Sequence, residues 1–379
     1  MEGDSVNYAE AIAIRDGKIL YVGSKTDTEK YHGDSTKIID LVGKTLLPGF
    51  IDAHGHIWNA GFQSLAANLL PPPDGEGRDI ASLIRLLGEW KTKNEHAIGK
   101  YGWIIGFGYD DGQLKEKSHP TADDLDKVSK DVPVLIIHQS GHLAVMNHKA
   151  LEFAGFNSKS KDPAGGIIRR KAGSLEPNGV LEEMAFFIPV MKIMTVLDST
   201  ANETIAKAGI ANYVRFGFTT AQEGRASEAN AETWKKIGKE GNLTIDVAAY
   251  MDLQSQMTYM RSVGTQRNYT NHFRIAGVKL SLDGSPQGKT AWLTRPYVVP
   301  PAGQKADYKG YPAMPNKADV FALVDTAFKY NWQVLAHCSG DAAGDEFISA
   351  IRNAAYLYGN NDRRSVMIHA HTALSLIHI

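Results

Sequence analysis

The stretch PGFIDAHGH at residues 48–56 decides the fold class of this 379-residue chain. Apolar residues open it, and His54 and His56 close it. Residues i and i+2 of a strand face the same side, so both imidazoles are expected ~6–7 Å apart, converging on one metal ion. Gly55 is expected to let the backbone turn tightly where the strand ends.

Short runs of apolar or β-branched residues that end in polar residues predict a first strand at 50–56. The same pattern predicts five further strands, at 218–223, 244–251, 274–282, 333–337 and 365–369. Helical stretches at 201–215 and 317–330 separate some of them, the second with Asn316 as a plausible N-cap. This alternation predicts an α/β fold with a parallel sheet, namely a TIM-like (β/α)8 barrel of which about six strands are present.

The remaining segments predict two additions to the barrel. Residues 1–47 are expected to form part of a small β-sandwich, with one hairpin around Asp16-Gly17 and a second strand pair, 38–41 and 44–47, around Gly43. Residues 61–200 are expected to be an inserted α+β subdomain. The predicted elements of this insertion are strands at 103–107 and 132–138 and helices at 121–130 and 147–155. The barrel itself is assigned to 48–60 and 201–373.

Composition excludes several classes of protein. Net charge is −1, from 41 basic and 42 acidic residues, so no basic surface indicates nucleic acid as a partner. The single cysteine, Cys338, excludes an internal disulfide framework. No apolar run approaches the ~18 residues of a membrane span. The expectation is a cytoplasmic enzyme with a small-molecule substrate, with a homodimer left open; a signal peptide lost upstream of Met1 would make it periplasmic.

Three later residues extend the histidine pair. Lys279 interrupts an apolar strand, and burying an ammonium is costly; the alternative is a lysine at the strand edge that reaches solvent. His337 and His369 each end an apolar strand. A lone histidine there is usually structural, but two of them after an H-x-H and a strand lysine favour metal ligation. Cys338 is expected to pack on the opposite face.

Polar residues outside these strands are weaker candidates. Asp110, His142, Asp283 and Gln287 are predicted to line the substrate cavity. Ordinary loop polarity or helix capping explains each of them equally well.

Taken together, these motifs resemble the amidohydrolase superfamily. Residues 48–56 match its P-G-h-h-D-x-H-x-H signature, and residues 140–147, 217–223 and 277–285 are similar to the YtcJ-like and N-substituted formamide deformylase-like subgroup (Amidohydro_3 type). The likeness runs over about residues 8–373. His371 stands where the family often has glutamine.

The resemblance implies a complete set of roles. His54, His56, Lys279, His337 and His369 would form the metal-binding and catalytic set, in the ligand order that the superfamily uses. They would hold one or two Zn2+ or other divalent ions. Lys279 would be carboxylated by CO2, so that its carbamate bridges two metals. The implied reaction is hydrolysis of a non-peptide C–N bond in an amide, formamide or cyclic amide.

The chain also departs from this pattern. The superfamily's proton-accepting aspartate ends strand eight, whereas this chain ends just after strand six. Residues 374–379 read LSLIHI, a translation of a transposon end used in sequencing libraries, and are predicted to be a non-native tail. A non-catalytic metal-binding fragment therefore stays an alternative to the hydrolase. A metal-dependent deaminase is a second alternative, which Lys279 disfavours because such deaminases usually lack that lysine.

A parallel barrel that lacks two strands exposes two sheet edges. We expect this chain, expressed as written, to be poorly soluble and inactive. A soluble monomer with hydrolase turnover would contradict that expectation.

Overall fold

A computed structural model describes residues 8–194, 197–301 and 303–373, and the chain divides into two compact units, 1–48 and 49–379. The described part of the first unit contains β1 (Ala11–Arg15), β2 (Lys18–Gly23), α1 (Lys25–Thr28) and a 3-10 turn at Glu29–Tyr31. Asp16 and Gly17 join the two antiparallel strands with φ of 51° and 71°. The predicted Asp-Gly hairpin is thereby confirmed.

The second strand pair predicted for this unit does not form. Residues 38–41 and 44–47 contain no strand, although a turn does lie at Val42-Gly43. Ile38 and Ile39 are 70% and 69% exposed. Their apolar side chains lack a sheet face to pack on in the described part of this unit, and an unpaired strand is not stable in water. The assignment of 1–47 as a separate partial β-sandwich domain stays a prediction.

The second unit alternates strands and helices. Its first part contains β3 (Phe50–Ile51), α2 (Ile57–Leu65), β4 (Ala67–Asn68), α3 (Ile80–Lys93), α4 (Glu95–Tyr101), β5 (Ile104–Tyr109), α5 (Ala122–Leu125), β6 (Val134–His138), β7 (Leu143–Met146), α6 (His148–Ala154), β8 (Gly166–Arg170), β9 (Pro177–Glu183) and α7 (Met184–Met194). Its second part contains α8 (Ser199–Arg215), β10 (Phe218–Ala226), α9 (Glu228–Lys239), β11 (Asp246–Asp252), α10 (Met257–Val263), β12 (Phe273–Ser281), α11 (Lys317–Lys329), β13 (Gln333–Cys338), α12 (Asp341–Tyr358) and β14 (Val366–His369).

A six-stranded parallel sheet carries the candidate site, in the order β14-β13-β12-β11-β10-β3. Its strands are neighbours in the order of the chain, which is the arrangement of an incomplete TIM-like barrel and confirms the predicted fold class. A core between this sheet and its helices centres on the fully buried Trp234 and Phe347. Ala248, Tyr250, Leu335 and Ile368 form a separate small cluster.

A second six-stranded sheet has the order β4-β5-β6-β7-β9-β8 and mixes parallel and antiparallel pairs. Two of its neighbouring helices test the sequence predictions. Asn147 caps α6 by accepting from the Ala150 amide, as expected for the helix predicted at 147–155. The helix predicted at 121–130 is too long, because α5 stops at Leu125. Asp126 Oδ2 instead contacts His148 Nδ1 at 2.8 Å, which holds the chain just after Leu125.

No helix in the described ranges is both long enough and apolar enough to cross a membrane.

Candidate metal centre

The five residues predicted to form a metal centre, His54, His56, Lys279, His337 and His369, lie close together in the structure. Ring centroids are 5.1 Å apart for His54 and His56, and 5.6 Å apart for His54 and His369. The ring centroids of His337 and His369 are 4.7 Å apart, and Lys279 Nζ is 3.4 Å from His54 Nε2. All lie in or beyond the carboxyl-terminal parts of the parallel strands, the edge where barrel proteins carry their active sites.

The geometry of the histidine pair differs from the expected one. The strand predicted for residues 50–56 ends at Ile51, so His54 and His56 lie in the loop beyond it. Asp52 ends the strand, because its Oδ2 accepts from the Tyr213 hydroxyl (2.9 Å) and the Gln222 amide (3.1 Å). The two imidazoles meet because this loop is anchored to the neighbouring strand, and not because they share a strand face.

Gly55 is required for space, not for a left-handed backbone conformation. A Cβ at this position would lie 2.3 Å from both Asp52 Oδ2 and the Tyr213 hydroxyl. Glycine is therefore needed at position 55 because Asp52 and Tyr213 approach it closely, and not because the backbone turns tightly there.

Replacing Gly55 with alanine is expected to lower the free energy of unfolding by about 1–3 kcal/mol, because the added methyl displaces the Asp52–Tyr213 hydrogen bond. Urea unfolding measures the change. Gly88→Ala is the control: it lies within α3, and its Cβ would meet nothing within 4 Å. A Gly55→Ala protein as stable as the parent would contradict this explanation.

Burial keeps the imidazoles neutral. It lowers the pKa of His54 and of His369 to about 4, and the nearby Lys279 adds to the lowering of both. Burial also drives the pKa values of His56 and His337 well below their ordinary range. Neutral imidazoles keep the lone pair that metal ligation requires.

The contacts of His337 define its tautomer. Its Nε2 lies 2.9 Å from the Gly284 carbonyl oxygen, which can only accept a hydrogen bond. The proton therefore sits on Nε2, and Nδ1 carries the free lone pair. Such a backbone carbonyl behind a histidine is the usual orienting contact of a metal ligand.

Lys279 is as deeply buried as predicted, at 3% exposure. Burial lowers the pKa of its amine to about 7, and the positive charge of Arg225 adds to this. Arg225 is itself held by Asp252, with 2.5 Å between Nε and Oδ2. A large fraction of the Lys279 amine is therefore uncharged near neutral pH, whereas a surface lysine would be almost fully protonated.

Two of the four predicted substrate-binding residues lie beside the histidines. The His142 ring is 5.0 Å from that of His337, and its Nδ1 is 2.8 Å from Glu183 Oε2. Asp283 Oδ1 lies 3.5 Å from His337 Nε2. Burial raises the pKa of Asp283 to about 6, against the opposing effect of three backbone amides that donate to it.

The other two predicted substrate-binding residues have different surroundings. Gln287 is exposed in the turn 286–289. Asp110 follows β5 in the second sheet and lies near Asp111 and His138, with which it forms a group of possible metal ligands. Neither has a described contact with the histidines of the first sheet.

Sequence reasoning missed Glu223. This glutamate is fully enclosed, and its Oε2 accepts from the Trp58 amide (2.9 Å) just beyond His56. Burial raises the pKa of Glu223 to about 7. The sequence gives only a weak signal for this residue, because residues 218–226 read FTTAQEGRA and an acidic residue is not unusual among so many polar neighbours.

The parallel sheet, its buried lysine and the imidazoles at its carboxyl edge define the class of barrel-type metal-dependent hydrolases. The amidohydrolase family Amidohydro_3 matches residues 37–376. The chain belongs to this family.

Three relatives extend the comparison. The chain is 28% identical to Protein LONG AFTER FAR-RED 3 of Arabidopsis thaliana and 26% identical to YtcJ of Bacillus subtilis, in each case over 97% of its own length. It spans 62% and 66% of the lengths of these two proteins. It is also 30% identical to the N-substituted formamide deformylase of Arthrobacter pascens, over 47% of this chain and 31% of that enzyme.

The chain is also similar to a solved structure, an uncharacterized metal-dependent hydrolase from Pyrococcus horikoshii. The TM-score is 0.64 at 26% sequence identity, covering 91% of this chain and 64% of the other.

Proposed function

We propose that this chain is the metal-binding core of a hydrolase that cleaves non-peptide C–N bonds. The observation that carries the proposal is the grouping of His54, His56, His337 and His369 around Lys279 at one edge of a parallel sheet. Family membership supports hydrolysis, and the bond type is an inference from the relatives' names and from the chemistry of the donor set.

The donor set fits a divalent transition metal, for which we propose Zn2+. Imidazole nitrogen is a preferred ligand of zinc, while magnesium and calcium prefer oxygen. Burial keeps the pKa values of these imidazoles low, and His337 presents Nδ1 while Nε2 is held by the Gly284 carbonyl. When bound, the ion would supply Lewis acidity that activates water and polarises a carbonyl.

We propose that Lys279 carries CO2 as a carbamate. Its uncharged Nζ would attack the carbon of CO2, forming an N–C bond as one C=O π bond opens and losing one proton to water, so that a neutral buried amine becomes an anionic oxygen donor. Its burial and the contact of Nζ with His54 support this step, since an oxygen ligand here would stand beside the imidazoles.

His142 would orient the substrate. Glu183 Oε2 contacts its Nδ1, and the Thr290 hydroxyl donates to the other oxygen of Glu183 (2.6 Å). These two contacts fix the His142 imidazole beside His337, where the imidazole would hydrogen-bond a polar group of the substrate. Asp283, whose carboxylate accepts from the Ser339 and Gly340 amides, would hold the loop after β13 in place.

A panel of N-substituted formamides, linear amides and cyclic amides tests the function, using the gene product that contains this chain. We expect turnover of at least one class, with metal content of one or two equivalents and loss of activity after chelation. Ammonia release from an exocyclic amine would instead indicate a deaminase. Metal content without turnover of any compound would indicate the non-catalytic alternative.

We further propose a small-molecule substrate, a cytoplasmic location and no nucleic-acid or membrane partner, with homodimer formation left to measurement. The near balance of 41 basic and 42 acidic residues supports the absence of a polyanionic partner.

A further inference from the structure

Arg225 lies near the end of β10, at the carboxyl edge of the parallel sheet that carries the proposed centre. The residue before it anchors the histidine loop, because the Gly224 amide donates to the Gly55 carbonyl oxygen at 2.8 Å. The side chain of Arg225 is 36% exposed, whereas Lys279 is 3% exposed. Arg225 is therefore accessible to a molecule that approaches the centre from solvent.

The Arg225 guanidinium is held by two contacts. Its Nε donates to Asp252 Oδ2 at 2.5 Å, and the other oxygen of Asp252 accepts from the amides of Gln254 (3.1 Å) and Ser255 (3.2 Å). Its central carbon lies 5.7 Å from the centre of the Phe187 ring on α7, within the range of a cation–π contact. The guanidinium is thus ordered before a ligand arrives, which lowers the entropy cost of binding.

Both contacts lead back to the proposed centre. Asp252 is the register partner of Lys279 in the pairing of β11 with β12. The Phe187 ring is 6.1 Å from the His142 ring, which is itself 5.0 Å from the His337 ring. The guanidinium between Asp252 and Phe187 therefore lies at the mouth of the centre.

The charge of this guanidinium acts on the candidate ligands. Burial is the main cause that lowers the pKa values of His56 and Lys279, and the positive charge of Arg225 contributes to the lowering of both. Such an effect weakens with distance, so it agrees with the position that the contacts give to Arg225.

The outer nitrogens of the guanidinium are available to a ligand. Among the hydrogen bonds of the described residues, Arg225 takes part only through Nε, and neither Nη atom has a partner. The two Nη atoms form a planar fork that matches the two oxygens of a carboxylate. A phosphate dianion is a poorer match, because a single guanidinium that already faces Asp252 cannot balance its charge.

We infer that Arg225 binds a carboxylate of the substrate, so that the proposed hydrolase acts on amides that carry a carboxylate close to the scissile C–N bond. The inference rests on the proposed function and narrows its substrate class. N-Formylglycine is the smallest formamide of this kind. The contact would hold one end of the substrate in place while its carbonyl group lies at the metal centre.

Matched pairs of amides test the inference on the gene product that contains this chain. N-Formylglycine and N-isobutylformamide have nearly the same shape and differ in charge, as do γ-formamidobutyrate and N-isohexylformamide. If the panel of the proposed function shows cleavage of another acyl group, the pairs carry that group instead. In at least one pair we expect kcat/KM to be at least tenfold higher for the carboxylate than for the neutral compound.

Substitutions of Arg225 should change this ratio. Arg225→Gln is expected to lower it at least tenfold, mainly through a higher KM for the carboxylate, because the charged fork is lost. Arg225→Lys keeps the charge without the fork and should retain part of the ratio. Arg261→Gln, at an exposed position on α10, is the matched control and should leave the ratio unchanged.

Calorimetric binding of the same pairs gives a readout without turnover. The carboxylate should bind at least tenfold more tightly than its neutral partner, and Arg225→Gln should remove the difference. If none of the compounds is hydrolysed, the proposed function fails, and this binding measurement still decides the inference. Equal rates and equal binding within both pairs, or a ratio that survives Arg225→Gln, would overturn it. A loss that is equal for charged and neutral compounds would assign Arg225 to the metal centre itself and would also overturn it.

Discussion

Replacing Lys279 with alanine is expected to lower kcat/KM for C–N bond hydrolysis about 10³-fold, or about 4 kcal/mol of transition-state stabilisation. The substitution removes the only described lysine amine that contacts the candidate metal ligands, through His54 at 3.4 Å. Metal content should fall with activity, because the proposed carbamate, the anionic donor of the centre, can no longer form. Steady-state kinetics and metal analysis on the active gene product that contains this chain measure both.

A small carboxylate should partly rescue this variant. Formate or acetate can occupy the space that the side chain leaves and offer the oxygen atoms of the missing carbamate, so activity should rise at least tenfold. Lys239→Ala, at an exposed position on α9, is the matched control and should behave as the parent. Full activity in Lys279→Ala would refute the proposed role, and loss of activity without rescue or metal loss would assign Lys279 to packing.

Replacing Asp283 with alanine is expected to be the most destabilising single change near the centre. Its carboxylate accepts from the backbone amides of Ser339 (2.9 Å), Gly340 (2.6 Å) and Trp292 (3.0 Å). Each buried amide left without a partner costs about 1–3 kcal/mol, so for three amides we expect a loss of about 3–9 kcal/mol. Much of the chain would then unfold, since whole domains are stable by only about 5–15 kcal/mol.

Denaturant unfolding followed by circular dichroism measures this loss. Asp283→Asn keeps one accepting oxygen and should recover part of the stability. Asp325→Ala is the control, because that carboxylate accepts only from the Asn353 side-chain amide among its described hydrogen bonds, and its loss should cost under ~1 kcal/mol. Equal stability of Asp283→Ala and the parent would mean that water replaces the carboxylate.

Most of the parallel strands were predictable because strands that are buried on both faces consist mainly of apolar or β-branched residues. The runs at 218–223, 244–251, 274–282, 333–337 and 365–369 all form strands of one sheet, with ends displaced by a few residues. The length of an apolar run is a property of one short segment, so a single sequence is enough to recognise it. The same rule failed at residues 38–47, where apolar residues remain exposed in the described structure.

The candidate site was predictable in its membership but not in its geometry. A lysine inside an apolar strand and histidines at strand ends are visible in the sequence. The contact of His142 with His337 joins residues from different sheets, and the buried Glu223 was overlooked. The cluster of Asp110, Asp111 and His138 forms because β5 and β6 pair in parallel and end side by side.

The sequence alone indicated the fold class and marked the five residues of the candidate centre, because apolar run length and chemically unusual residues are properties of single segments; the family followed from the resemblance of whole motifs. Only the tertiary structure decided that His54 and His56 meet in a loop held by Asp52 and Tyr213 rather than on a strand. It alone also placed His138 Nε2 against two carboxylates. The reason is physical: hydrogen bonds and ion contacts between distant segments depend on how strands pair and where they end, which no local pattern records.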